Sequence, residues 1–247
     1  MEFHGKKIVI TGASPDFGQT LAILFAGLGA ELYLSARSLE KAQITANLVK
    51  AQYPETKIHC FQANITKSDE ITAFARAVHS ITASVDILIN NAALWLEGQV
   101  SEVDDASIVE AISSTATGSI LVTKHFLPLL NNSNNPDIIF INSTASLPNN
   151  SHATCNEAFS AAKAAQSTFA DRLRSRLKGS GVRIMTIYPP DFCNPSPLDA
   201  PKWDTPDRQY LSARNVFNGI QFALSQDRIC SVDQIILSNN RSAKKLV

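Results

Sequence analysis

The stretch Ile8-Val9-Ile10-Thr11-Gly12-Ala13-Ser14-Pro15-Asp16-Phe17-Gly18 decides the fold. It opens on a β-branched run, crosses a turn of Gly, Ser, Pro and Asp, and enters an apolar helical segment over 18–28. A short apolar run, bounded by turn residues and followed by a helix, begins a strand–helix–strand unit. Glycine in such a turn brings backbone N–H groups and the positive end of a helix dipole to one point, where a phosphate can bind. The same turn needs glycine for its own geometry, so alone it names no ligand.

Working outward, the pattern repeats. Strands are expected at 31–36, 57–62, 86–90, 137–142, 182–187 and 234–237. Helices are expected at 39–53, 68–81, 105–130, 157–177 and 212–224, the third of these being the longest. Near-continuous apolar strands alternating with helices predict a parallel sheet covered on both faces. Right-handed crossovers make it doubly wound. The prediction is one α/β domain over 1–247, with about seven strands. A Pro-rich coil at 190–209, with Trp203 and Tyr210, reads as a lid segment over 190–212.

Of the 247 residues, 45% are hydrophobic and 18% charged, enough apolar material for a sizeable core. Formal net charge is zero, so no surplus points to nucleic acid or an anionic membrane. No apolar run is expected to span a membrane. Residues 1–7 lead straight into the first strand, so no signal peptide is expected. Cys60, Cys155, Cys193 and Cys230 are scattered, without a CxxC pair, and read as free thiols in a reducing compartment. Cytoplasm is the expected location, and no metal site is expected.

Four segments in register carry a resemblance. Thr11–Gly18 is similar to the TGxxxGxG turn of the short-chain dehydrogenases/reductases, a Rossmann-type family. Asn90-Asn91-Ala92-Ala93 resembles that family's NNAG, Phe159-Ser160-Ala161-Ala162-Lys163 its YxxxK, and Tyr188-Pro189-Pro190 its PG turn. The resemblance runs from about residue 5 to 237. It implies a nicotinamide dinucleotide held by Thr11, Gly12, Ser14, Gly18, Arg37, Asn64, Asn91, Ala92, Lys163, Pro189 and Phe192. It also implies a small-molecule carbonyl or alcohol substrate, and a homo-dimer or homo-tetramer formed through the two long helices at 105–130 and 157–177. Strand two ends Leu34-Ser35-Ala36-Arg37, with no acid for ribose hydroxyls. Arg37 favours NADP, with NAD as the alternative.

The departures bear on catalysis. Phe159 stands where the family has its proton-donating tyrosine, and a phenyl ring transfers no proton. Lys163, four residues on, shares its helical face and keeps the ribose-holding role that the resemblance implies. The family's substrate-polarising serine maps to Ser143 by strand end, or to Ser146 by counting back from Phe159; the strand end is the firmer anchor. The family's relay asparagine maps to Thr115, which lacks an amide's donor-and-acceptor pair. Asp16 replaces the middle glycine of the turn. A carboxylate about 5 Å from a phosphate costs roughly 3 kcal/mol at an effective dielectric near 20, unless Asp16 caps the helix instead. His152, Cys155 and Glu157, or Lys163 itself, are the candidates to replace the tyrosine.

Two functional classes follow. One is an NADP(H)-dependent oxidoreductase with an atypical active site. The other is a catalytically inactive relative that binds a nucleotide or serves as a partner subunit. A deliberate Tyr→Phe replacement would account for Phe159, but not for Thr115 or Asp16.

Overall fold

The computed structural model describes residues 3–148, 155–204 and 210–240. Seven parallel strands form one sheet: β1 (Lys7–Thr11), β2 (Glu31–Ala36), β3 (Ile58–Gln62), β4 (Ile87–Asn90), β5 (Asp137–Ile141), β6 (Arg183–Tyr188) and β9 (Gln234–Ile236). Their order is β3-β2-β1-β4-β5-β6-β9. The order reverses at β1, so β1 and β4 diverge into helices on opposite faces and leave a crevice at their carboxyl ends. The doubly wound prediction holds. Strand and helix limits differ from expectation by a residue or two, because frayed ends carry no sequence signal.

The apolar strands bury both faces. One layer joins Ile8, Ile10 and Leu34 to α1 (Phe17–Gly27) and α8 (Ala213–Ser225). The other joins Val9, Leu88 and Phe140 to α3 (Ser68–Ile81), α5 (Gly118–Asn131) and α6 (Glu157–Arg176). Helix α2 (Leu39–Gln52) starts at Ser38, whose hydroxyl accepts from the Lys41 N–H.

Two expectations need correction. The single helix expected over 105–130 is α4 (Asp105–Ile112), a π-turn (Ser113–Thr117) and α5 in one run. Gly118 at its end presses against the Ile65 carbonyl: a Cβ there would lie 2.6 Å from that oxygen. The run Asp105–Asn131 is also apolar enough, at mean hydropathy 1.2, to cross a membrane by length and composition. Within it, Val122, Phe126, Leu129 and Leu130 are buried against the sheet. The expected coil at 190–209 holds short elements: α7 spans Ala200–Asp204, and β7 (Phe192–Cys193) pairs in parallel with β8 (Leu211–Ser212) just beyond the coil.

Candidate active site

A cleft of about 420 Å³ opens at the carboxyl ends of the strands. That volume is within the range of small-molecule and cofactor sites. It brings together Gly12, Ser14, Gly18, Arg37, Asn64, Asn91, Ala92, Ser143, Phe159, Lys163, Pro189 and Phe192, twelve of the residues singled out in the sequence. Thr11 and Thr115 are buried and do not line it.

The first turn is shaped by close approach. Gly12 has φ +68°, and a Cβ on it would meet Ala92 Cα at 2.8 Å. A Cβ on Gly18 would meet the Gly12 carbonyl oxygen at 2.1 Å. Only glycine fits either position. Thr11 is buried and acts as a bracket: its Oγ1 accepts from the N–H groups of Asn91 and Ala92 at 3.1 and 3.2 Å. The Asn91 amide donates to the carbonyls of Thr11 and Gly12. The NNA segment and the first turn are thus one hydrogen-bonded unit.

Asp16 does not cap α1 with its side chain. Its φ of 172° is extended backbone, so a residue other than glycine fits there. Its carboxylate accepts from Asn194 Nδ2 at 3.2 Å, and Asn194 Oδ1 accepts from the Thr20 hydroxyl at 2.8 Å. The capping expectation is replaced by a clasp between the first turn and the segment after β6. Asp16 still lines the cleft.

Lys163 is 3% exposed, with its Nζ donating to the Ile141 carbonyl at 2.7 Å. Burial, which disfavours the charged form, pulls its pKa from 10.5 down to about 7. The ammonium lies 5.6 Å from the centroid of the Phe159 ring. Phe159 is itself buried, in an apolar cluster with Leu96, Ala111 and Ala158, and the Trp95 ring meets it edge-on at 4.9 Å. Ser143 caps a short 3-10 turn (Thr144–Ser146) by accepting from the Ala145 N–H. Its own hydroxyl proton remains available to the cleft, whose wall includes Ser143 but not Ser146.

Thr115 is wholly buried, and its Oγ1 has no partner among the described residues. The extra residue of the π-turn rotates the helix, so Ser114 faces the cleft in its place. The Thr115 carbonyl accepts from Ser119 Oγ and from Gln166 Nε2, and Gln166 Oε1 accepts from Asn142. The sequence reading missed Gln166. The signal was a polar residue three positions after Lys163, on the helix's inner face. It also missed Trp95 and Glu110, which are on the cleft.

At the far end Asn64 Oδ1 is taken by the N–H and hydroxyl of Thr66, leaving its amide N–H groups to the cleft. Phe192 packs edge-on against Phe17 at 5.1 Å. Trp203 belongs to the core layer under α1 and α8, and neither Trp203 nor Tyr210 lines the cleft. Cys155 bonds Ser160 at 3.3 Å, Glu157 accepts from the Val100 N–H, and neither lines the cleft; His152 lies outside the described residues. No group of three or more His, Cys, Asp or Glu among the described residues could hold a metal.

A cradle closed by Gly12 and Gly18, an anchored Asn91 and a buried lysine fit a dinucleotide; the carboxylate of Asp16 opposes it. Comparison with known proteins identifies the family. The short chain dehydrogenase family model matches residues 6–203. An uncharacterised oxidoreductase of Staphylococcus aureus is 24% identical, over 93% of this chain and 95% of its own length. A metagenomic short-chain oxidoreductase solved with NADP is 22% identical, with a TM-score of 0.78 over 96% of this chain and 98% of that one. An alcohol dehydrogenase from the archaeon Thermococcus sibiricus, complexed with 5-hydroxy-NADP, is 19% identical, with a TM-score of 0.81 over 98% of this chain and 100% of that one. The chain belongs to the short-chain dehydrogenase/reductase family of oxidoreductases.

Proposed function

We propose that this chain is an NADP(H)-dependent oxidoreductase acting on a small carbonyl or alcohol, with an atypical active site. The observation that carries the reading is the meeting of Gly12, Gly18, Asn91, Ser143 and Lys163 in one cleft. The nicotinamide supplies or accepts the hydride when bound. Gly12, Ser14 and Gly18 cradle its phosphates, Asn64 faces the adenine, and Asn91, Ala92, Pro189 and Phe192 wall the remainder. Arg37 meets a 2′-phosphate. NADP in the metagenomic relative and 5-hydroxy-NADP in the archaeal one support that preference.

The chain's own side chains divide the remaining work. Ser143 donates its hydroxyl to the substrate oxygen. Lys163 holds the ribose. Phe159 and Trp95 form an apolar wall of the cleft. Phe159 carries no proton, so protonation comes from a water or from the buried Lys163 ammonium. The segment 190–212 acts as a lid, and the helices over 105–130 and 157–177 pair copies of the chain into a dimer or tetramer. We place the protein in the cytoplasm.

A second reading is an inactive nucleotide-binding or partner subunit. The burial of Phe159 in an apolar cluster favours it, since a hydroxyl there would need a partner. Parallel fluorescence titrations with NADPH and NADH test the proposal. NADPH binding in the micromolar range supports it, and Phe159→Tyr then raises turnover on a carbonyl panel by roughly 10²-fold or more. Absence of binding by either cofactor to about millimolar, weaker than roughly −4 kcal/mol, sinks it.

A further inference from the structure

The adenosine end of the cleft holds a charge pair that the sequence does not announce. Arg37 follows the carboxyl end of β2. Glu110 comes from α4, 73 residues further on, across the cleft mouth. Arg37 Nη1 donates to Glu110 Oε1 at 2.9 Å, and both residues line the cleft. Their side chains are 59% and 40% exposed. Lys41 lines the same end. The guanidinium therefore already has an anion, supplied by the protein itself.

We infer that Glu110 is a specificity-determining residue for the cofactor, its carboxylate competing with a ribose 2′-phosphate for Arg37. This rests on the dinucleotide reading of the cleft. A half-exposed ion pair is weak, worth at most about a fivefold factor. A phosphate dianion offers a guanidinium stronger, bidentate hydrogen bonds and displaces the pair. Displacement leaves the Glu110 carboxylate beside a second anion, and that repulsion opposes the phosphate-bearing cofactor alone. A ribose with free hydroxyls carries no charge there and can donate to the carboxylate. Arg37 thus favours NADP less than it would unpaired, and charge at residue 110 sets the margin.

The test is a cofactor titration of the wild-type chain, Glu110→Gln, Arg37→Ala and the double variant, at one fixed ionic strength. Both side chains are on the surface, so the variants fold. Glu110→Gln tightens NADPH roughly three- to tenfold and shifts NADH by less than about twofold. The gain shrinks in the Arg37→Ala background, where only the repulsion between carboxylate and phosphate is left to remove. The inference is overturned if Glu110→Gln leaves NADPH unchanged, tightens both cofactors equally, or gains as much without Arg37. Failure of every variant to bind either cofactor is a different result: it removes the dinucleotide reading, and the inference with it.

Discussion

Lys163 is a cation buried with a carbonyl rather than a carboxylate at its head. Its folded pKa of about 7 lies below the ordinary 10.5, so the unfolded chain binds the proton more tightly. The contribution of Lys163 to stability is then least favourable at and below pH 7, rises between about 7 and 10.5, and levels off above that. A shift of this size corresponds to something on the order of 5 kcal/mol at neutral pH. Lys163→Met is expected to raise the melting temperature at pH 7, and its advantage over wild type shrinks as pH approaches 10. Thermal scans across that range check it; an advantage independent of pH would contradict the assigned burial cost. Asp16 makes a second prediction. Asp16→Gly removes a charge from the phosphate turn and tightens NADPH and NADH alike, by about tenfold or more. A change in one cofactor only would place Asp16 away from the pyrophosphate. The motif made the position of Lys163 legible, but not its burial. The partner of Asp16 was hidden because Asn194 is 178 residues away in the chain.

Helices and strands were legible because apolar periodicity reports burial, and burial drives both. The π-turn was not. Ser113-Ser114-Thr115-Ala116-Thr117 contains no breaker and reads as plain helix. Its cause is tertiary: Gly118 packs against the Ile65 carbonyl, and the Thr115 carbonyl turns to meet Gln166. Gln166 is fully buried and joins the π-turn, through Asn142, to the end of β5. Gln166→Leu preserves volume and removes both contacts, leaving one Asn142 N–H without its partner. The expected cost is about 1–3 kcal/mol of stability. Urea unfolding checks this as a lower midpoint at unchanged slope. An unchanged midpoint would mean that water replaces the amide and that the π-turn holds itself.

At the scale of the molecule the two ends of the sheet divide the work. The carboxyl ends carry the cleft, and the amino ends carry a buried charge cluster. Asp137, at the start of β5, accepts from Arg183 Nε at 2.8 Å and from Arg228 Nη1 at 2.7 Å. Arg183, at the start of β6, also donates to the carbonyls of Leu224, Gln226 and Cys230, tying the end of α8 to the sheet. Asp137 and Arg183 are 5% and 6% exposed. The sequence gives no hint of this cluster: its members are 46 and 91 residues apart, and only the folded sheet aligns them. Removing one partner of such a pair strands the other charge in the interior, at a cost of about 3–5 kcal/mol. Asp137→Ala is therefore expected to lower stability by that amount. The cluster is separated from the cleft by the length of the strands, which stay paired along their whole register. Cofactor affinity, measured well below the new melting temperature, is then expected to stay within about twofold of wild type. A parallel loss of affinity would mean that strain at the amino ends reaches the cleft, and that the sheet transmits it.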